Sequence, residues 1–299
     1  MIKKSFSRKT FDVFNSLFMI LLSASVIFPF IHIISISLSK KDYIMSKSVG
    51  LIPKGFNLGA YRIIITDDIF QRAFANTIFL TAVITILSMI VNVIASYAFT
   101  KNFYGKKFIN YIYLITMFFS GGIIPYFILI AQKLHWYNNF CALIFPALVS
   151  YYYIIIIRSQ IATIPSSLIE SAYIDGANEL RTIVHIVIPS ILPTIAAISM
   201  FTAIGAWNQW FPNLLFTDKK SLWTLQYYLR AIVLEKSMDY KMLYNIQYSS
   251  QGTLFNESAL TSVNYQMAAI IVVIIPVASI YPFIQKHFVK GILLGSVKG

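Results

Sequence analysis

Glu170-Ser171-Ala172-Tyr173-Ile174-Asp175-Gly176-Ala177, closed by Ile186-Val187-Ile188-Pro189 and Pro193, is a short polar cassette between two long apolar stretches. Three of the chain's 11 acids, Glu170, Asp175 and Glu179, fall within it. Hydropathy sets it between membrane spans, where an acidic helix has no lipid to bind and needs a protein partner. Ser167-x-x-Glu170 reads as a capping box behind a turn at Pro165: the Ser hydroxyl accepts an early helical N–H while Glu170 reaches back. A short helix is predicted from there. Leu168, Ile169, Ala172 and Tyr173 share one side of it, and Gly176 supplies a backbone that turns without a Cβ penalty. A second helical piece is predicted from about Ala177 into the next span. A capping box alone is a common loop feature in which Glu170 serves only its own helix. The compound pattern with Asp175, Gly176, Ala177, Ile186, Pro189 and Pro193 is specific.

Around the cassette, 58% of the 299 residues are hydrophobic and 12% charged, with mean hydropathy +0.70, against about 45–50% apolar and 25% charged in soluble domains. The chain therefore reads as an all-α integral membrane protein. Its apolar blocks are long enough to cross a bilayer, which takes about 20 helical residues. Six spans are predicted: 13–38, 76–99, 108–131, 140–157, 188–211 and 266–285. The first follows a basic start, but its apolar run exceeds the roughly 7–15-residue core of a signal peptide and no small-residue cleavage site follows, so it is expected to stay as a helix. The domain reading is an N-terminal segment 1–12, a six-span transmembrane body 13–285 with loops at 165–188 and 212–265, and a tail 286–299.

The 24 Lys and Arg residues divide evenly between the two faces of this topology. The positive-inside rule weights short loops near span ends. The basic N-terminus, the hairpin with Lys101, Lys106 and Lys107, and the C-terminal tail then put both termini in the cytoplasm. Net charge is +13, but the basic residues are scattered over loops on both faces, unlike a nucleic-acid patch. Anionic lipid headgroups are the expected counter-charge, and no nucleic acid. The single cysteine, Cys141, excludes an intramolecular disulfide or a CxxC site.

Spans two to six contain no Asp, Glu, Lys or Arg. Ion-coupled carriers use buried ionisable groups, so energy must enter from elsewhere; His32 in span one reads as a hydrogen-bonded packing residue. Gly121-Gly122 with Pro125 should interrupt span three, and Pro276 and Pro282 span six. In the long loop 212–265, the run from Leu222 to Arg230 alternates apolar and polar residues as in a helix lying on the membrane surface or against a partner.

Trp207, Asn208, Gln209, Trp210 and Asn213, near the outer end of span five, combine aromatic faces with amides, the two chemistries that bind sugars. Trp207 and Trp210 are three apart and so share a helical face. Tryptophan at a span end is equally what an aromatic belt looks like, and both readings stand.

The cassette resembles the EAA loop of ABC importer permeases. The likeness covers nearly the whole chain and is closest to the MalG-like carbohydrate permeases. It is supported by Phe119 to Pro125, Ala142 to Pro146, Trp207 to Phe211, Leu225 to Arg230, and the ending Val289-Lys290-Gly291 to Gly295-Ser296-Val297-Lys298-Gly299. Departures are Ser171 for a usual alanine, and aliphatic Ile183 and Val184 where aromatics are frequent. The resemblance implies a type I importer (MetI-like) half-pore of six transmembrane helices, in a bacterial cell membrane. A cytoplasmic coupling helix between spans four and five would sit in a groove on an ATPase. Glu170 would face a basic residue there, with Ala172 and Ala177 permitting close approach. It further implies a second permease chain, two ATPase subunits carrying ATP and Mg, an extracytoplasmic solute-binding protein, and a sugar, an oligosaccharide, as cargo. The tail, Gly295 to Gly299, would reach the ATPase in extended form. The chain has no GxxxxGK[ST] loop, so any nucleotide site lies on another subunit. Rival readings are an ion-coupled secondary carrier, disfavoured by the uncharged spans, and an integral membrane transferase, for which no nucleophile or metal-ligand set lies near Glu170 and Asp175.

Overall fold

The structure, a computed structural model, describes residues 6–234 and 261–295. In chain order its α-helices are α1 (Phe6–Ser37), α2 (Lys41–Met45), α3 (Gly59–Thr66), α4 (Asp68–Ala98), α5 (Lys106–Phe118), α6 (Ile123–Phe127), α7 (Cys141–Ile144), α8 (Tyr151–Ile161), α9 (Ser166–Ile174), α10 (Glu179–Thr182), α11 (Ile188–Ser190), α12 (Leu192–Trp207), α13 (Phe211–Phe216), α14 (Leu225–Leu234) and α15 (Ser262–Gly295). No strand occurs among the described residues. Three helices, Ser7–Ser37, Asp68–Ala98 and Ser262–Ser279, are by themselves long and apolar enough to cross a membrane. Three further apolar segments are bent: by 114° between Lys106–Phe118 and Ile123–Lys133, by 41° between Cys141–Ala147 and Tyr151–Ile161, and by 87° between Glu179–Ser190 and Leu192–Trp207.

Each bend has a local cause. Span three breaks as expected at its glycine pair, where Gly122 takes φ +88, a left-handed value open to glycine. The segment predicted as 188–211 is straight only over Leu192–Trp207, because Pro189 and Pro193 flank Ile191 and Pro193 has no N–H to donate back. The break between α7 and α8 carried no sequence warning beyond Pro146. Helix α15 runs through Pro276 and Pro282 without interruption. This corrects the expected break in span six, since a membrane helix tolerates the loss of single backbone bonds when neighbours or side chains satisfy the freed groups.

The chain divides into two compact units, Met1–Asp67 with Ala231–Ile275, and Asp68–Arg230 with Pro276–Gly299. In the first, Asn264 is fully buried and its Nδ2 donates to the carbonyls of Ile36 at 3.1 Å and Ser39 at 2.7 Å, joining the end of α1 to the start of α15. His32 Nδ1 lies 3.0 Å from the Gly50 carbonyl, the hydrogen-bonded packing role expected of it.

In the second unit α4 is the central post. Met89, Val93 and Tyr97 of α4 share one core with Ile157 and Ile161 of α8, Ile183, Val187 and Ile191 of the bent segment, and Ile198 of α12. A polar stripe, Ser88, Asn92 and Ser96, recurs every fourth residue on the same helix and is buried. Asn92 Nδ2 donates to the Leu148 carbonyl at 2.9 Å and its Oδ1 accepts Ser150 N–H at 3.1 Å, while Ser96 Oγ donates to the Ile154 carbonyl at 3.1 Å. The two Asn92 bonds serve backbone groups set free at the α7–α8 break, as a low-dielectric interior requires, and the Ser96 bond ties α4 to α8 itself.

Candidate coupling site and cavity

Helix α9 forms where the cassette predicted one, but by a different start. Pro165, at φ −56 and ψ 131, occupies the N-cap position, and no side chain caps the helix. Ser167 is two residues too far in to cap, and its carbonyl instead accepts the Ser171 hydroxyl at 2.8 Å. The capping box is therefore not made, and the reading of Glu170 as a cap for its own helix falls with it. Glu170 and Asp175 are exposed, with no side-chain partner among the described residues. Leu168 and Ile174 are also exposed, at 50% and 86%, whereas Ala172 is buried. The predicted apolar side of Leu168, Ile169, Ala172 and Tyr173 is thus not one buried face.

The helix ends in a Schellman motif. Gly176 takes φ +80, its N–H reaches the Tyr173 carbonyl at 3.0 Å, and Ala177 N–H reaches the Ala172 carbonyl at 2.9 Å. Asn178 then caps α10, its Oδ1 accepting Arg181 N–H at 2.8 Å. Beyond it Ile183 and Val187 are buried in the α4 core, while Val184 is 48% exposed. Ile186 and Pro189 lie on the segment that leads to the 87° bend.

Sequence reasoning missed the group that ties this elbow to the membrane helices. Tyr173 of α9 donates to Glu179 Oε2 at 2.7 Å, and Tyr97 of α4 donates to the same oxygen. Lys101 Nζ donates to the Tyr173 hydroxyl at 2.6 Å and lies 3.5 Å from Glu179 Oε2. It also stands over both rings, 4.8 Å from Tyr97 and 4.9 Å from Tyr173. The Tyr97 hydrogen bond, then that of Tyr173 and the nearby Lys101 charge, hold the Glu179 carboxyl below its ordinary range. The two phenol oxygens also lie 2.8 Å apart, and the carboxylate, which only accepts, is the acceptor within reach of both and keeps the group together. The legible signal was Glu179 itself, an acid six residues beyond a tyrosine in a chain with few acids.

At the opposite end of α12, a cavity of about 400 Å³ is walled by Ile84, Ala147, Tyr153, Phe201, Thr202, Gly205, Ala206, Asn208, Gln209, Trp210, Phe211 and Pro212. No charged residue lines it. Of the five predicted pathway residues, Asn208, Gln209 and Trp210 are there together. Trp207 is not: it is the last residue of α12, 6% exposed, with its ring edge-on to Phe74 at 6.3 Å. Because α12 ends at Trp207, Trp210 stands beyond the helix, and the two do not share a helical face. Asn213 is fully buried, donating to Thr217 Oγ1 and the Leu222 carbonyl at 2.9 Å each.

The run Leu222 to Arg230 is also not a surface helix. Leu225 and Tyr228 of α14 are buried, Leu225 N–H donates to Thr77 Oγ1 at 2.8 Å, and Asn76 Nδ2 donates to the carbonyls of Ser221 and Trp223. Its alternation reflects packing against α4. Residues 235–260 of the long loop lie outside the described residues, as do Ser296, Val297, Lys298 and Gly299 of the tail. Gly295 closes α15, so residues 286–295 continue a helix where an extended tail was expected.

A cavity with an uncharged lining at one end of α12, and a capped acidic elbow keyed to α4 at the other, fit a membrane transport subunit. Residues 93–294 match the family model described as binding-protein-dependent transport system inner membrane component. The chain is 37% identical over 292 residues to the polygalacturonan/rhamnogalacturonan transport system permease protein YtcP of Bacillus subtilis (strain 168), covering 97% of this chain and 99% of that protein. It is 32% identical to protein LplC of the same organism, over 97% and 96% of the two chains. Among solved structures it is similar to a bacterial ABC transporter involved in import of the acidic polysaccharide alginate, with TM-score 0.84, 28% identity, and coverage of 96% of this chain and 100% of that one. The chain belongs to the family of binding-protein-dependent transport permeases, the membrane components of ABC importers.

Proposed function

We propose that this chain is one half of the pore of an ABC importer that moves an oligosaccharide into a bacterial cell. The similarity to permeases whose names and descriptions cite polygalacturonan, rhamnogalacturonan and alginate supports a saccharide cargo. The chain would work with a second permease, two ATPase subunits and an extracytoplasmic binding protein. Its three straight and three bent apolar segments supply six spans, the last bent one entering the membrane only beyond residue 188, with both termini, the loop 165–188 and the tail 286–299 on the cytoplasmic side. ATP and Mg are handled by the ATPase, and no cofactor resides here.

The observation that carries this reading is the two-sided character of α9. One side is free: Glu170, Asp175, Leu168 and Ile174 are exposed and uncommitted, as a face that docks on another protein would be. The other is keyed to the membrane helices through Tyr173, Glu179, Tyr97 and Lys101. A displacement of α9 by an ATPase would be carried to α4 through that carboxylate, and through Ile183 and Val187 in the α4 core. Two global states of the pore are then biased by nucleotide at one end and by the loaded binding protein at the other. The cavity beside Asn208, Gln209 and Trp210 falls within the range of about 300–1,000 Å³ of ligand sites. Aromatic walls and amides there match the apolar and hydroxyl faces of a sugar. The test is reconstitution with the partner subunits: binding-protein-dependent uptake of saccharide that requires ATP supports the reading, and uptake driven by a proton or sodium gradient without ATP contradicts it.

A further inference from the structure

Arg230 of α14 is half-buried, and its guanidinium carbon lies 4.1 Å from the centroid of the Trp210 ring. That stacking contact is its one recorded side-chain interaction: among the described residues no carboxylate, carbonyl or hydroxyl meets its N–H groups. A cation held partly out of water without an anion is unfavourable, which makes it an unusual choice for structure alone. A guanidinium lying on an indole ring keeps its planar fork of donors free, and that fork matches a carboxylate bidentately.

The ring it lies on is a wall of the cavity, beside Asn208 and Gln209. Asn208 is exposed, with its Oδ1 accepting from Gln226 Nε2 at 3.1 Å. Arg230 stands behind this wall, joined to it through Trp210, and the lining itself holds no acid and no base. An occupant of the cavity that carries a carboxylate would supply the anion that the described residues do not. We propose that Arg230 is the carboxylate-reading residue at this cavity, and that the saccharide passing it is an oligosaccharide of uronic acids. The proposal rests on the cavity lying on the saccharide path. It adds what that path selects: hydroxyls at Asn208 and Gln209, a ring face on Trp210, and a carboxylate at the Arg230 fork.

The test uses the complete importer in proteoliposomes, with trigalacturonate and its methyl ester as probes. The two share size and hydroxyls and differ in charge. Binding protein and ATPase are common to all measurements, so the change in acid-to-ester uptake ratio on mutation reports Arg230 alone. Arg230→Met is expected to lower that ratio about tenfold, the size of one lost charge-assisted contact, with complex yield and ester uptake within about twofold of wild type. Arg230→Lys, which keeps the charge but not the fork, should fall between them. An unchanged ratio in Arg230→Met overturns the proposal while leaving saccharide import standing. Absence of ATP-dependent uptake of trigalacturonate by the wild-type complex overturns this proposal, whereas the import reading falls only if saccharide uptake proves independent of ATP. Should Arg230→Met fail to assemble, the Arg230→Lys ratio decides, and a wild-type value there counts against the fork.

Discussion

Tyr173 and Glu179 close the elbow on itself: the tyrosine that ends one turn of α9 donates at 2.7 Å to the acid that opens α10. Tyr97 shares the same carboxylate oxygen from the end of the long helix α4. One carboxylate thus binds the free acidic helix to the post on which the second unit is built.

Removing that charge should loosen transmission without removing the helix. Glu179→Gln keeps the shape but abolishes the ion pair with Lys101 and weakens both phenol bonds. Transport per ATP hydrolysed is expected to fall about three- to tenfold, with the ATPase still bound. Tyr97→Phe should give a smaller loss in the same direction, and unchanged coupling in both variants contradicts the role assigned to the group.

The same carboxylate fixes a pH dependence. Its pKa is lowered in the folded protein, so its contribution is fully present above the ordinary carboxylate range and is lost as pH falls through the lowered folded value. Coupling should be flat across neutral pH and decline only on strong acidification. In Glu179→Gln that acid limb should vanish, which a pH series of transport per ATP measures directly.

Gly176 at φ +80 tests the elbow through its backbone. No atom crowds a Cβ at this position, so the cost of a side chain is conformational rather than steric contact with neighbours. Gly176→Val should destabilise the turn by about 1–2 kcal/mol and reduce transport, whereas Gly176→Asn, which tolerates left-handed backbone, should be milder. Uptake and inserted protein are read together, and equal uptake by both variants contradicts a need for this turn.

Trp207 and Trp210 should separate cleanly. Trp207 is buried against Phe74, so Trp207→Ala is expected to cost about 3–5 kcal/mol and appear as lost complex yield. Trp210→Ala and Asn208→Ala, at the cavity wall, should impair uptake at normal yield. Normal uptake at normal yield for the latter pair removes them from the saccharide path.

Much of this was legible in the residues. The glycine pair at 121–122 announced one of the three bends, because missing Cβ atoms act locally; the prolines at 189 and 193 cause another by the same local logic, although hydropathy alone reads 188–211 as one span. Gly176 announced its positive φ for the same reason. What stayed hidden depends on partners distant in sequence: Tyr97 meeting Glu179, Asn92 serving the backbone at Leu148 and Ser150, and Trp207 turning inward to Phe74. The Ser88, Asn92, Ser96 repeat was a readable hint, since three polar residues at helical spacing inside an uncharged span must find acceptors. Ser167 misled because the helix starts two residues earlier than the capping pattern placed it, where the fixed φ of Pro165 sets the first turn.

The central claim is that Glu170, exposed and uncommitted on α9, docks this chain to its ATPase. The most direct measurement is ATPase retention and binding-protein-stimulated hydrolysis in the purified complex carrying Glu170→Lys. The account predicts that the variant inserts normally but loses ATPase subunits and the stimulated hydrolysis at least tenfold, because a cation replaces the acid against a basic groove. Full ATPase content with wild-type stimulated hydrolysis would contradict it.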